Sequence, residues 1–306
     1  INLQGQDISR ASQGHINSNK FKQLKEELPT PNKFRTASGA PGEDYYQQKV
    51  NYVIDVELDD KNKRLYGQEE ITYTNNSPDV LEYLWLQLDQ NIRKKDSPAL
   101  QKNSEGDTAH NIIYNLIDES QLDRFAARHI EDPFDGGFNI QWVKDEFNKS
   151  LSYTINMTMM RVDLPQPLKK GEEFKFSIKW WYNINDHVKK RARSGYEPFP
   201  KDGNRLYVIA QFFPRLAVYN DVEGWQNHQF WGNGEFALNF GNYEVNVTVP
   251  ADHILEATGT LQNPKEVLSR DQYRRYKRAE KSFDEPVIIV SQEEAEINEK
   301  GFSEDK

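Results

Sequence analysis

Residues 206–257 read LYVIAQFFPRLAVYNDVEGWQNHQFWGNGEFALNFGNYEVNVTVPADHILEA. The stretch opens with an apolar run, Leu206–Phe213, which predicts a central strand ending in Gln211-Phe212-Phe213-Pro214. A loop dense in Tyr, Trp and Gly follows. Then comes a long alternating segment, Asn242–Val249, with Tyr243, Val245, Val247 and Val249 on one face and Pro250 closing it. Strict alternation is the mark of a strand with one face covered, because successive side chains leave opposite faces. Proline ends such a run because it has no backbone N–H to give to a ladder.

The same period of two extends upstream. Val50, Tyr52, Ile54, Val56 and Leu58 alternate with polar residues, and Asp59-Asp60-Lys61-Asn62 predicts a hairpin turn. Leu65, Gly67, Glu69, Ile71 and Tyr73 fall on one face of a returning strand. Leu81–Leu88 is almost continuously apolar and predicts a strand deep in a sheet. Phe138–Val143, Leu151–Val162 and Phe174–Tyr182 are further strand segments, and Leu164–Gly171 and Lys189–Asp202 read as loops. Adjacent Trp180 and Trp181 must point to opposite faces, so one belongs to the core.

Gln90–Asn111 reads as a polar insertion without core signal, and Leu116–His129 has helical spacing. Beyond Pro250, Ile254–Thr260 and Val287–Val290 predict short strands, Glu266–Lys281 an exposed helix, and the acidic end no structure. Ten or so strands with few, short helices predict a mostly β fold, a sandwich or saddle of antiparallel sheets. Residues 1–45 form an extension with a short helix at Asn19–Leu28, stopped by Pro29. Residues 46–306 form the β domain.

Composition sets the outer bounds. The 306 residues suffice for a sizeable core, and 16 Phe, 15 Tyr and 6 Trp make up for a hydrophobic content of only 36%. A net charge of −9 argues against general affinity for nucleic acid, whose phosphates need a basic footprint. The KKRAR run, Lys189–Arg193, is a local exception that reads as a solvated loop. No apolar run reaches the ~20 residues of a membrane span. There is no cysteine, which excludes disulfides and thiolate metal sites.

Motifs that carry chemistry are absent. The six histidines, His15, His110, His129, His187, His228 and His253, include no pair one helical turn apart, so no His-Glu-x-x-His zinc site exists in the chain. Neither a Gly-x-Ser-x-Gly elbow nor a phosphate-binding glycine loop is present. Of the acidic residues, Glu69-Glu70 and Asp59-Asp60 diverge as sequence neighbours, and Glu223 and Glu235 flank the aromatic loop as solvated acids. The reading is of a chain with no catalytic residue and no metal ligand of its own.

Three stretches together resemble the amino-terminal domain of aminopeptidase N-like zinc metallopeptidases. They are the strand pair Tyr52–Tyr73 running into ITYTNNSPDVLEYLWLQL, then LPQPLKKGEEFKFSIKW at Leu164–Trp180, then AQFFPRLAVYNDVEGW with GEFALNFGNYEVNVTVPADH. Their order covers about residues 46–290 and is similar to the secreted bacterial members. The resemblance implies a saddle-shaped β domain that lines the pocket for a peptide's amino end. It implies as partners a peptide substrate and a catalytic domain of the same protein, missing here, that carries the zinc; the chain needs no cofactor itself. It also implies a periplasmic or extracellular location. Gln211 matches the family's substrate-contacting glutamine, with an amide that both donates and accepts. Phe213 stands where family members often carry a Glu or Gln for the substrate ammonium, and would instead line an apolar side-chain pocket. The alternative function is a non-catalytic peptide- or carbohydrate-binding module, with Trp225 and Trp231 as its aromatic surface, or a scaffold domain.

Overall fold

A computed structural model describes residues 31–97, 134–190, 194–201, 203–231 and 237–298. The expected helices at Asn19–Leu28 and Leu116–His129 lie outside these residues. The first hairpin forms as its alternation dictates. Strands β1 (Lys49–Asp59) and β2 (Arg64–Thr74) pair antiparallel along their full length, with Lys63 taking a left-handed backbone in the turn. Strand β3 (Leu81–Gln87) leaves this sheet for a second one. It is followed by a single 3-10 turn, Asp89–Arg93. Strands β4 (Asn139–Asp145), β5 (Tyr153–Asn156), β6 (Met159–Leu168) and β7 (Glu173–Asn183) complete the antiparallel framework.

Five strands order as β13-β1-β2-β7-β4, where β13 is Tyr243–Thr248, and four order as β10-β3-β6-β5, where β10 is Arg215–Leu216. Two small hairpins, β8 (Gly195–Phe199) with β9 (Asn204–Val208), and β11 (Tyr219–Asn220) with β12 (Gly224–Trp225), flank them. The fold is mostly β, as the patterning requires. All pairings between these strands are antiparallel except that of β13, which runs parallel to β1.

One core joins the two main sheets. Ile54, Ile71, Phe176, Ile178 and Trp180 from the first meet Leu84, Leu86, Met160 and Val162 from the second. Trp180 is fully buried and Trp181 only partly, so the tandem does face both ways. The Trp180 ring lies across Gly67, where a Cβ would stand 2.2 Å from it, and this close approach explains why β2 carries a glycine at its centre.

Several sequence-based expectations fail, each for a physical reason. The Leu164–Gly171 loop is the second half of β6 up to Leu168. Its Pro165 and Pro167 are tolerated because β5 pairs only with Met159–Val162, leaving that side of the strand free. Residues 151–162 are not one strand; Met157, with φ 53°, folds them into the β5–β6 hairpin. The Lys189–Asp202 loop contains β8. Leu206–Phe213 is not a central strand. β9 ends at Val208 in a flanking hairpin, with Leu206 and Val208 half exposed.

Ile254–Thr260 and Val287–Val290 are irregular, and the acidic end holds a helix at Gln292–Asn298. The exposed helix at Glu266–Lys281 is present as Pro264–Val267 and Arg270–Ala279, the second with a Ser269/Gln272 capping box. No described residue from Ala237 to Asn298 is fully buried; Val247 and Val249 pack against the rim of the core. Gln90–Asn111 does have a core signal at its start: Gln90 and Asn91, with Asp89 before them, are buried.

Candidate functional site

The two residues singled out by sequence, Gln211 and Phe213, sit in the loop 209–214 that joins β9 to β10. The loop is tightly specified. Gln211 has φ 54°, a left-handed conformation that costs a non-glycine residue roughly 1 kcal/mol and so must be imposed by its surroundings. Gln90 holds this segment. Its side-chain amide donates to the carbonyls of Ala210 (3.1 Å) and Gln211 (3.0 Å), and its own oxygen accepts from Arg93 at 2.7 Å. Among the described residues the side-chain amide of Gln211 makes no hydrogen bond, and the residue is half-buried.

At the far end of the loop Arg215 donates to Asp89, within the same 3-10 turn, and to Gln87 at 3.4 Å. Burial pushes the Asp89 carboxyl above its usual range while Arg215 pulls it back. Burial likewise lowers the Arg93 guanidinium, with Tyr182 and Asp89 opposing.

Phe213 anchors the loop through its ring. It meets Tyr52 edge-on at 5.4 Å and Phe212 at 5.0 Å; Tyr52 stacks on Tyr243 at 4.9 Å. The Tyr52 hydroxyl accepts from the Leu216 backbone at 3.0 Å, which ties β1 to β10 just beyond the loop. Burial raises the Tyr52 phenol well above its ordinary value. Gln211 and Phe213 are thus brought together on one braced loop, although Gln211 follows the end of a strand instead of ending one.

Other candidates disperse. His187 meets Glu197 at 3.2 Å, His228 meets Glu223 at 3.2 Å, and His253 meets Asp252 at 2.9 Å, each as an isolated pair. Among the described residues no three His, Asp or Glu side chains converge as metal ligands, so these residues do not fit a zinc ion. Glu235 and Arg191–Arg193 lie outside the described residues. The ring of Trp225 is engaged by Tyr219 at 5.1 Å and Tyr73 at 6.2 Å, whereas Trp231 is 42% exposed.

No protein-family model matches the sequence, and no curated protein matches it. Solved structures of M1 zinc metallopeptidases do. One, a two-domain M1 zinc metallopeptidase mutant bound to L-tryptophan, is 14% identical and aligns over 73% of this chain and 39% of its own, with a TM-score of 0.34. The M1 zinc metallopeptidase from Deinococcus radiodurans gives 14%, 73%, 38% and 0.34. A mutant of it bound to a Tyr-Ser-Ala substrate gives 15%, 73%, 39% and 0.33. The chain therefore spans well under half the length of these structures. No described helix is long and apolar enough to cross a membrane.

Sequence reasoning missed Gln90, Arg93, Asp89 and Arg215. The only available signal was position: Asp89 and Gln90 directly follow the apolar run Leu81–Leu88, where the chain is still inside the core.

Proposed function

We propose that this chain is the substrate-side β domain of a zinc-dependent aminopeptidase-like metallopeptidase, lining the pocket that receives a peptide's amino end. Cleavage itself belongs to a catalytic domain outside these residues, where zinc would polarise the scissile carbonyl. The observation that carries the reading is Gln211: a half-buried amide without an internal partner, on a backbone held in a strained conformation by buried side chains. Strain that the surroundings over-determine is a mark of sites built for a ligand. A primary amide can accept from an ammonium and donate to a peptide carbonyl at once. Phe213, packed on Tyr52 and next to Tyr243, adds an apolar wall. A periplasmic or extracellular location belongs to the same proposal.

The test uses the chain as it stands. It is expected to hydrolyse no aminoacyl-nitroanilide and to retain no stoichiometric zinc on metal analysis. A peptide with a free amino terminus shifts the Gln211 side-chain NMR signal, and its N-acetylated counterpart shifts it less. One tightly held zinc per chain, or a clear glycan-array hit with no peptide response, would overturn the reading.

A further inference from the structure

In an extended strand, consecutive backbone carbonyls point to opposite sides. One side-chain amide cannot then donate to both. Gln90 does bond the consecutive carbonyls of Ala210 and Gln211, and it can do so because the chain leaves the extended conformation at Gln211, here with a left-handed backbone. The grip and the departure from extended backbone at Gln211 therefore go together. The orientation of the Gln90 amide is itself fixed, because Arg93 donates to its oxygen and leaves both N–H groups for the loop. Gln90 is 2% exposed, so its own amide is withdrawn from water and turned to the loop. The same 3-10 turn holds the other end of the loop through the Asp89–Arg215 pair. Asn91 ties the turn to the framework by donating to the Met157 carbonyl (2.7 Å) and accepting from the Phe138 N–H (2.9 Å).

We infer that Gln90 is the positioning residue of the Gln211 site, and that the turn Asp89–Arg93 is a clasp closing on both ends of the loop 210–215 so that the Gln211 amide is presented in one geometry. The consequence for ligand affinity rests on the proposed role of Gln211; the clasp does not. A ligand that needs both the donor and the acceptor of that amide gains from having it held beforehand, because less conformational freedom is lost on binding.

The experiment uses isotope-labelled chain and two variants of near-equal side-chain volume, Gln90→Met, which donates to no carbonyl, and Gln90→Glu, which has at most one O–H to give and so cannot bond both. The first readout is the positive-φ signature of Gln211, its three-bond HN–Hα coupling and carbon shifts. The second is the affinity for trialanine with a free amino terminus. Both variants are expected to lose the signature and to bind trialanine at least tenfold more weakly. Retention of the signature in either folded variant would overturn the clasp. Loss of the signature, with trialanine binding that neither Gln90 variant nor Gln211→Ala alters, would keep the clasp and overturn the peptide site. Should Gln90→Met fail to fold, Gln90→Glu, which retains a polar contact to Arg93, carries the test.

Discussion

Glu69 is a costly side chain in the core. It lies on the inner face of β2 between Ile54 of β1 and Ile178 of β7, is 1% exposed, and neither of its carboxylate oxygens has a hydrogen-bond partner among the described residues. Burial raises its carboxyl well above the usual range. The acid is therefore protonated in the fold over a pH range in which the unfolded chain ionises. Below the unfolded value both states hold the proton, and only the pH-independent cost of burying an unpartnered neutral carboxyl remains. As pH rises from there towards the folded value, stability falls by at most about 1.4 kcal/mol per pH unit. Glu69→Leu is expected to raise the midpoint of urea unfolding more at pH 7.5 than at pH 4; equal effects at both would refute the assignment. Arg215 presents the opposite case. Replacing it by Leu strands Asp89, which is fully buried, and is expected to cost about 3–5 kcal/mol by the same measurement. Periodicity had placed Glu69 on one face with Leu65, Ile71 and Tyr73, and that face is buried.

At the scale of elements, β13 is attached by its backbone more than by its side chains. Val50 donates to the Phe240 carbonyl at 3.1 Å and Tyr52 to that of Asn242 at 2.9 Å, and between them a Cβ on Gly241 would stand 1.5 Å from the Val50 oxygen. Gly241→Ala is expected to detach β13 without melting the sandwich. Limited proteolysis would then cut within 241–250, while the fluorescence unfolding transition reporting buried Trp180 persists. Alternation marked β1, β2, β7 and β13 as strands because a covered face enforces it. It gave no measure of depth: β13 has the clearest pattern and yet leaves Tyr243 and Val245 about half exposed. Ile254–Thr260 and Val287–Val290 carry strand-forming residues, but β propensity is realised only where a neighbouring strand offers a ladder. The loop holding Gln211 was singled out by resemblance alone, since the polar contacts that shape it come from residues about 120 positions away.

The molecule as a whole is built from partners distant in sequence. β2 and β7 meet across 119 residues, and β1 meets β13 across 191. Closing such long loops comes late, because their entropy is lost before the contacts repay it. In refolding followed by pulsed hydrogen exchange, the Val50 and Tyr52 amides, which face β13, are expected to gain protection after the β1 amides that face β2. Simultaneous protection would show that β13 docks with the rest. For a nascent chain leaving the ribosome at about 5–20 residues per second, the delay is on the order of ten to forty seconds. Throughout that interval one margin of the first hairpin stands bare, and whatever guards newly made proteins against sticking to one another is needed there first.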